Sequence, residues 1–183
     1  NLANGNAERV AIIFEADDGT VTRVTYRELY HRVCRLANGL RSLGIRKGDR
    51  VLVYMPMSIE GVAAMQACAR IGAIHSVVFG GFAAVSLATR IDDAQPKVIV
   101  SADAGSRGGK PVPYKHLVDE ALRLARNPPA KVLIVDRGLD PGMARVAGRD
   151  LDYATLRAQH MGAQVPCEWL ESSEPSYILY TSG

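Results

Sequence analysis

Four short segments of this chain are apolar at almost every successive position, and this pattern restricts the fold more than any other feature. The segments read VLVY, HSVVF, VIV and VLIV, and a helical pattern or a loop separates each from the next. A strand that alternates apolar and polar residues buries one face, whereas a strand without alternation buries both. Strands of the second kind lie inside a parallel sheet that is covered by helices. The sequence therefore predicts an α/β fold with a largely parallel sheet.

The predicted helices and strands alternate along the chain. Thr25 and Glu28 have capping-box spacing, Ser58 is placed to cap a second helix, and Gly44 and Gly72 end the two helices. Asp17-Asp18-Gly19-Thr20 is a hairpin turn signal between two short strands. The predicted strands are 10–14, 21–25, 50–55, 74–79, 97–101, 131–135 and 176–180, the later helices are 83–92, 114–126 and 153–160, and 104–113 and 136–148 are predicted loops.

Composition indicates a soluble globular protein without nucleic acid or membrane partners. The net charge of +3 is small and the basic residues are scattered; the nearest approach to a basic cluster is Arg107 with Lys110 and Lys115. Charged or polar residues interrupt the longest apolar region, 62–79, so it is too polar for a membrane span. Three widely separated cysteines, Cys34, Cys68 and Cys167, predict reduced thiols and a cytoplasmic protein.

The ends of the chain suggest that the 183 residues are part of a larger protein. The first residue is Asn1 rather than Met, and the last three, Thr181-Ser182-Gly183, open a turn after an apolar strand. Backbone N–H groups and hydroxyls in such a turn can hold phosphate oxygens, although this short string also ends many ordinary strands. We therefore expect a domain that is trimmed at both ends, with part of a phosphate-binding loop at its last residues.

A double glycine follows the HSVVF strand at Phe79-Gly80-Gly81-Phe82. Ligands of open α/β sheets bind at the carboxyl ends of strands. Glycine lets a flat or anionic group approach the backbone, and either phenylalanine could stack on a ring. The alternative is a tight turn that aromatic side chains pack.

Two cations flank a second double glycine at Arg107-Gly108-Gly109-Lys110, which follows the VIV strand. Arg107 could bind one phosphate as a fork and Lys110 could add a point charge. The spacing does not fit a Walker A loop, and there is no GxGxxG motif. The alternative is a solvated basic turn.

No residues have the spacing of a metal site or of a catalytic triad. The four histidines are scattered, and His75 lies on an apolar strand, where a hydrogen-bonded core residue is expected. We expect no metal ligand and no catalytic residue within these 183 residues.

Taken in order, these segments resemble the AMP-forming acyl-CoA synthetases, in particular their acetyl-/propionyl-CoA synthetase branch. The residues that carry the resemblance are 75–82, 101–110 and 180–183; a further likeness to the propionyl-CoA synthetases lies in 135–139, 143–146, 148–150 and 169–172. The resemblance implies that residues 1–183 are part of the amino-terminal AMP-binding domain, without the carboxy-terminal domain.

The resemblance also implies a reaction and its site residues. A short carboxylate, propionate here, reacts with ATP and Mg²⁺ to give an acyl-adenylate, and the thiol of CoA then displaces AMP. By position, CoA would contact Phe79, Gly80, Gly81, Arg107, Gly108, Gly109 and Lys110, and ATP phosphates would contact Thr181, Ser182 and Gly183. The rest of the active site would lie beyond residue 183, so the resemblance implies that these residues alone are inactive.

Three alternatives remain at this point. The first is an acetate–CoA ligase of the same family, because the residues that choose the acyl group are not identified. The second is a dinucleotide- or flavin-binding domain, although the glycine fingerprint after the first strand is missing. The third is a non-catalytic α/β module that binds CoA or a nucleotide. The sequence does not indicate an oligomeric state.

Overall fold

The protein is described by a computed structural model that covers residues 2–181, and its elements alternate as predicted. The predicted phosphate-binding residues Ser182 and Gly183 lie outside the described residues. In chain order the elements are an irregular helical turn (Leu2–Asn6), β1 (Val10–Glu15), β2 (Val21–Thr25), α1 (Tyr26–Ser42), β3 (Arg50–Met55), α2 (Ile59–Arg70), β4 (Ile74–Phe79), α3 (Ala84–Ala94), β5 (Val98–Ala102), β6 (Gly105–Arg107), β7 (Lys110–Val112), α4 (Tyr114–Leu124), β8 (Lys131–Val135), β9 (Asp150–Asp152), α5 (Tyr153–Ala158) and β10 (Tyr177–Ile178).

Six of the strands form one parallel sheet in the order β10-β4-β3-β5-β8-β9. The continuously apolar strands β3, β5 and β8 lie side by side within it. Alternate residues of β3 point to opposite faces: Val51 and Val53 pack with α1 and α2, and Leu52 and Tyr54 pack with α3 and α4. Each face of the sheet therefore has its own hydrophobic core, which confirms the predicted α/β fold.

The predicted helix starts are confirmed by their caps. The backbone N–H of Thr25 donates to Glu28 Oε2 at 2.7 Å, and the N–H of Glu28 donates to Thr25 Oγ1 at 3.2 Å. The Ser58 hydroxyl accepts from the N–H of Gly61 at 3.1 Å. These bonds satisfy N–H groups that the first helical turn leaves without a carbonyl partner.

The structure contains strands that the sequence did not predict, two of them within the predicted loop 104–113. Residues 105–112 form a β-hairpin, β6 and β7, because Gly108 and Gly109 both adopt the positive φ that a two-residue hairpin turn requires. Asp150–Asp152 adds β9 to the edge of the sheet. The predicted strand 176–180 pairs only at Tyr177 and Ile178.

The three cysteines differ in burial. Cys34 and Cys68 are buried, Cys167 is exposed, and all three are free thiols. Within residues 2–181, no helix combines the length and the apolar character that crossing a bilayer requires.

Candidate ligand-binding site

A cavity of about 790 Å³ lies where β3, β4, β5 and β8 end. These strands are parallel neighbours, so the segments that follow them meet at one edge of the sheet. The tip of the β1–β2 hairpin forms the remaining wall. The lining residues are 14–18, Pro56, Met57, 79–83, Ser106, Arg107, Val112, Tyr114, Leu117, Arg137 and Leu139. The predicted residues Phe79, Gly80, Gly81 and Arg107 are thus brought together in one cavity.

The turn after β4 places Phe79 and Gly81 next to Arg107. The N–H of Phe82 donates to the carbonyl of Phe79 at 3.1 Å, which closes the turn. A Cβ on Gly81 would overlap the Phe79 ring and would lie 3.3 Å from Nη1 of Arg107. The guanidinium therefore lies against the bare backbone of the second glycine, and a larger residue there would displace the ring or the cation.

Gly80 has a different neighbour, because Tyr114 packs against it. A Cβ on Gly80 would overlap the Tyr114 hydroxyl, and a Cβ on Gly105 would lie 2.6 Å from Cε2 of the same ring. The need for glycine at position 80 thus comes from internal packing, which is the aromatic-packed turn that the sequence left open as an alternative. Tyr114 joins the turn after β4 to the start of the β6–β7 hairpin.

The β6–β7 hairpin sets the positions of the two predicted cations. Arg107 and Lys110 are directly opposite residues on either side of Gly108 (φ 58°) and Gly109 (φ 75°). Side chains of directly opposite residues lie on the same face of a hairpin. Arg107 lines the cavity, whereas Lys110 is exposed at the hairpin end and outside the lining. Among residues 2–181, neither cation forms an ion pair with an acidic side chain.

The buried carboxylate of Asp103 fixes the loop after β8. It accepts hydrogen bonds from the N–H groups of Arg137 at 3.0 Å, Leu139 at 2.7 Å and Asp140 at 3.2 Å. Burial alone would raise the pKa of Asp103, but these backbone donors, together with that of Ala104, hold it below its ordinary value. The carboxylate therefore stays ionised and places Arg137 and Leu139 in the cavity wall.

Sequence reasoning did not predict Tyr114, Arg137 or the role of Asp103. Tyr114 begins α4, and Arg137 follows β8, so each lies at the same sheet edge as the predicted residues. An acidic residue directly after the buried β5 strand was the available signal for Asp103, because a buried carboxylate needs several donors.

The last described residues are outside the cavity lining, although Arg90 packs on both Tyr180 and the lining residue Phe82. Tyr180 donates its hydroxyl to Asp93 Oδ2 at 2.6 Å, and the guanidinium of Arg90 lies 5.0 Å from the centre of its ring. Burial, with the Asp93 carboxylate, raises the pKa of Tyr180 to about 12. Thr181 is exposed and does not line the cavity. Thr181 and Arg107 therefore do not line the same cavity.

Lys115 does not belong to the basic cluster that the sequence suggested. Its side chain is buried, with Nζ 2.6 Å from Asp119 and 3.0 Å from Asp150. The placement follows from the helix: Lys115 is one residue beyond Tyr114 on α4, so it points away from the cavity wall. Residues 2–181 also contain no group of three or more His, Cys, Asp or Glu side chains that could hold a metal ion.

Comparison with known proteins gives one consistent group of matches. The family model described as "AMP-binding enzyme" matches residues 1–183. A propionate–CoA ligase of Escherichia coli is 59% identical over 177 residues, which are 96% of this chain and 28% of that protein. An acetyl-coenzyme A synthetase of Ralstonia nicotianae is 56% identical over 185 residues, covering 100% of this chain and 28% of that protein.

A solved structure agrees with these matches. Acetoacetyl-CoA synthetase from Streptomyces lividans superposes with a TM-score of 0.88 at 30% sequence identity, covering 100% of this chain and 27% of that one. The chain thus spans little more than a quarter of the length of the relatives it matches.

Proposed function

Because the chain belongs to the AMP-binding enzyme family, we propose that the full-length protein is an AMP-forming acyl-CoA synthetase for short carboxylates. The carboxylate oxygen attacks the α-phosphorus of ATP and pyrophosphate leaves. The CoA thiol then attacks the acyl carbonyl, AMP leaves, and a thioester forms. Residues 1–183 would supply part of the amino-terminal adenylation domain, and the other parts of the active site would come from the remaining length that the relatives have.

We further propose that the cavity receives the nucleotide end of CoA. The observation that carries this proposal is the position of Arg107: its guanidinium lies 3.3 Å from the Cβ position of Gly81, in the wall of a cavity that the turn after β4 also lines. A cation beside bare backbone can hold a phosphate while a flat ring lies against the turn. The 3′-phosphate of CoA would bind Arg107 in this arrangement.

Phe79 and the hairpin complete the proposed CoA site. The Phe79 side chain is 66% exposed although it ends a sheet strand, so its ring is free to stack on adenine. Gly108 and Gly109 allow the tight turn that sets Lys110 opposite Arg107. Lys110 lies outside the cavity lining and would therefore act on the phosphate through its charge at longer range.

The ATP phosphates and Mg²⁺ would bind elsewhere. We propose that Thr181, Ser182 and Gly183 belong to the loop that holds these phosphates, on the strength of the motif alone. Thr181 follows strand β10 and is exposed, so its hydroxyl is accessible to a ligand.

For the acyl substrate we propose propionate, with acetate as the second candidate. The two relatives compared above differ little in identity, 59% for the propionate–CoA ligase and 56% for the acetyl-coenzyme A synthetase. One methylene in an apolar pocket changes specificity by only about 1–3 kcal/mol, so acetate should react more slowly rather than be rejected. A kcat/KM for acetate equal to or above that for propionate would replace propionate with acetate and leave the reaction type unchanged.

The CoA site is tested in the full-length protein with Arg107→Ala. Charge-assisted hydrogen bonds are worth roughly 1.5–3 kcal/mol, so the KM for CoA should rise roughly 10- to 150-fold. The adenylation half-reaction, followed as ATP–pyrophosphate exchange without CoA, should change little. Arg123→Ala is the matched control, because Arg123 is exposed on α4 and lies outside the cavity lining. Equal loss of adenylation and thioester formation would show that Arg107 does not serve CoA.

A further inference from the structure

The ring of Tyr114 is held in one orientation between the two halves of the cavity wall. Tyr114 is 7% exposed, yet it lines the cavity. Gly80 lies against its hydroxyl and Gly105 against its Cε2 edge. The ring of Tyr54 packs against it with the ring centres 5.0 Å apart. These neighbours leave the hydroxyl little freedom to turn elsewhere.

The hydroxyl of Tyr114 forms no hydrogen bond with any other residue among 2–181. Its neighbour Tyr54 is different, because the Tyr54 hydroxyl donates to the carbonyl of Phe82 at 2.9 Å. Although the Tyr114 ring is buried, its hydroxyl borders the cavity and is open to water there. An unpartnered hydroxyl in a cavity wall is therefore available to a bound molecule.

The charges around this hydroxyl favour an electron-rich partner. Burial raises the pKa of Tyr114, and the positive charges of Arg137 and Arg107 oppose that rise. The hydroxyl thus remains protonated at neutral pH and can donate. The same two cations attract negatively charged oxygen atoms to the region that the hydroxyl faces.

We propose that the Tyr114 hydroxyl is a ligand contact that donates a hydrogen bond to an oxygen of the phosphorylated ribose of CoA, beside Arg107. This inference rests on the proposed CoA site and names a further specificity-determining residue within it. The absence of side chains at Gly80 and Gly105 would then also serve ligand binding, because it leaves room for the Tyr114 ring to bring its hydroxyl to the cavity.

Tyr114→Phe in the full-length protein removes the hydroxyl and keeps the packed ring. A ligand contact and a structural hydroxyl give opposite results. If the hydroxyl has no partner until a ligand binds, the ligand-free variant should have the same melting temperature as the unchanged protein or a slightly higher one, since no internal hydrogen bond is lost. The dissociation constant for CoA should nevertheless rise roughly 3- to 30-fold, with ATP–pyrophosphate exchange unchanged.

Two matched tyrosine variants distinguish the loss of a ligand contact from a general loss of packing in the domain. Tyr153→Phe removes a buried hydroxyl on α5, in the core on the other face of the sheet, and should leave CoA binding within about twofold. Tyr54→Phe removes the real hydrogen bond to Phe82 and should lower the melting temperature. If Tyr54→Phe weakens CoA binding as much as Tyr114→Phe does, the effect is structural and the inference is wrong.

Arg107→Ala distinguishes failure of this inference from failure of the CoA site. If Arg107→Ala weakens CoA binding and Tyr114→Phe leaves it within twofold, Tyr114 is no ligand contact and the site stands. If neither variant weakens binding, the CoA site itself is wrong, and the inference is overturned with it.

Discussion

Two groups of basic residues near the start of α4 have opposite surroundings. One group pairs with carboxylates of the protein, and the other faces a cavity. Lys115 and Arg149 form an ion-pair network with Asp119 and Asp150, in which the side chains of Lys115 and Asp150 are buried and those of Arg149 and Asp119 are partly exposed. Lys115 Nζ is 3.0 Å from Asp150, and Arg149 Nε is 2.7 Å from the same carboxylate. Arg107 is exposed in a cavity wall and has no acidic partner among residues 2–181.

The difference shows how to distinguish structural cations from binding cations. A charge removed from water needs a partner inside the protein, and Lys115 is committed to its carboxylate partners and is not available to a ligand. A cation in a cavity without an internal partner keeps its full charge for a ligand. The sequence grouped Arg107, Lys110 and Lys115 by proximity in the chain, and this grouping was wrong for Lys115 because it ignored burial.

The largest effect on stability is expected in the paired group. Asp150→Asn removes a carboxylate whose side chain is fully buried against Lys115 and Arg149. Breaking a buried pair leaves an uncompensated charge, so the free energy of unfolding of this domain should fall by about 3–5 kcal/mol. Urea unfolding of the full-length protein measures the change, while the KM for CoA of the folded enzyme should stay within twofold.

The matched control for that variant is an exposed acid in an ion pair. Asp136→Asn removes one of the two carboxylates that pair with Arg145 at the surface and should lower the free energy of unfolding by about 0–1 kcal/mol. If the two variants destabilise equally, burial does not separate the two groups of charges.

A smaller loss is expected from the first glycine of the turn after β4. In Gly80→Ala the new Cβ overlaps the Tyr114 hydroxyl, so the ring or the turn must shift, at a cost of about 1–3 kcal/mol. CoA binding should weaken with it, because the turn lines the cavity. Gly142→Ala is the control, since its nearest neighbour would be a side-chain oxygen at an ordinary 3.7 Å. Unchanged melting temperature and CoA affinity in Gly80→Ala would contradict the packing described for Tyr114.

Acid should weaken the loop that carries Arg137. The folded-state pKa of Asp103 lies below its unfolded value of about 3.9, so its contribution is complete above that pH and is lost as the pH falls through the folded pKa. Asp103→Asn should lower the free energy of unfolding at pH 7 by about 1–2 kcal/mol, because the backbone donors lose their carboxylate acceptor. The variant should also lose less stability than the unchanged protein as the pH falls below 4. Melting temperatures of both proteins across pH 2–7 would measure this, and the same decrease in both would contradict the prediction.

The smallest effect is expected at Lys110. It lies opposite Arg107 but outside the cavity lining, so Lys110→Ala should raise the KM for CoA only about 2- to 5-fold. Stability should change by less than about 0.5 kcal/mol, because the side chain is exposed. An increase in KM as large as that of Arg107→Ala would place Lys110 at the phosphate itself.

Most of the fold was predictable because the signals were local. Apolar runs fixed β3, β4 and β8 to the residue, and the capping box at Thr25 fixed the start of α1. The β6–β7 hairpin could have been predicted from its glycine pair, which is a standard two-residue turn signal. Strand β9 could not, because Asp150 and Asp152 carry charges that only distant partners such as Lys115 and Arg145 make tolerable at the sheet edge.

The candidate site was predictable only where a motif marks the chain. The double glycines marked the turn after β4 and the segment around Arg107 as candidate binding segments, although the second segment was predicted as a loop rather than a hairpin. The sheet edge brought Phe79, Gly81 and Arg107 together as expected for parallel strands. Tyr114 and Arg137 come from elements that are distant in sequence from the β4 turn, and only the packed structure reveals that they share its cavity. The lining supplied by the β1–β2 hairpin, which combines Phe14 and Ala16 with the acidic Glu15, Asp17 and Asp18, was missed for the same reason.

The most direct test of the binding role of Arg107 compares CoA with dephospho-CoA, which lacks the 3′-phosphate. Dissociation constants for both ligands are measured with the full-length protein and with Arg107→Ala. If the unpaired guanidinium binds the 3′-phosphate, the variant should bind CoA roughly 10- to 150-fold more weakly and bind dephospho-CoA within about twofold of the unchanged protein. An equal loss of affinity for both ligands would contradict a phosphate contact and would return Arg107 to a structural role.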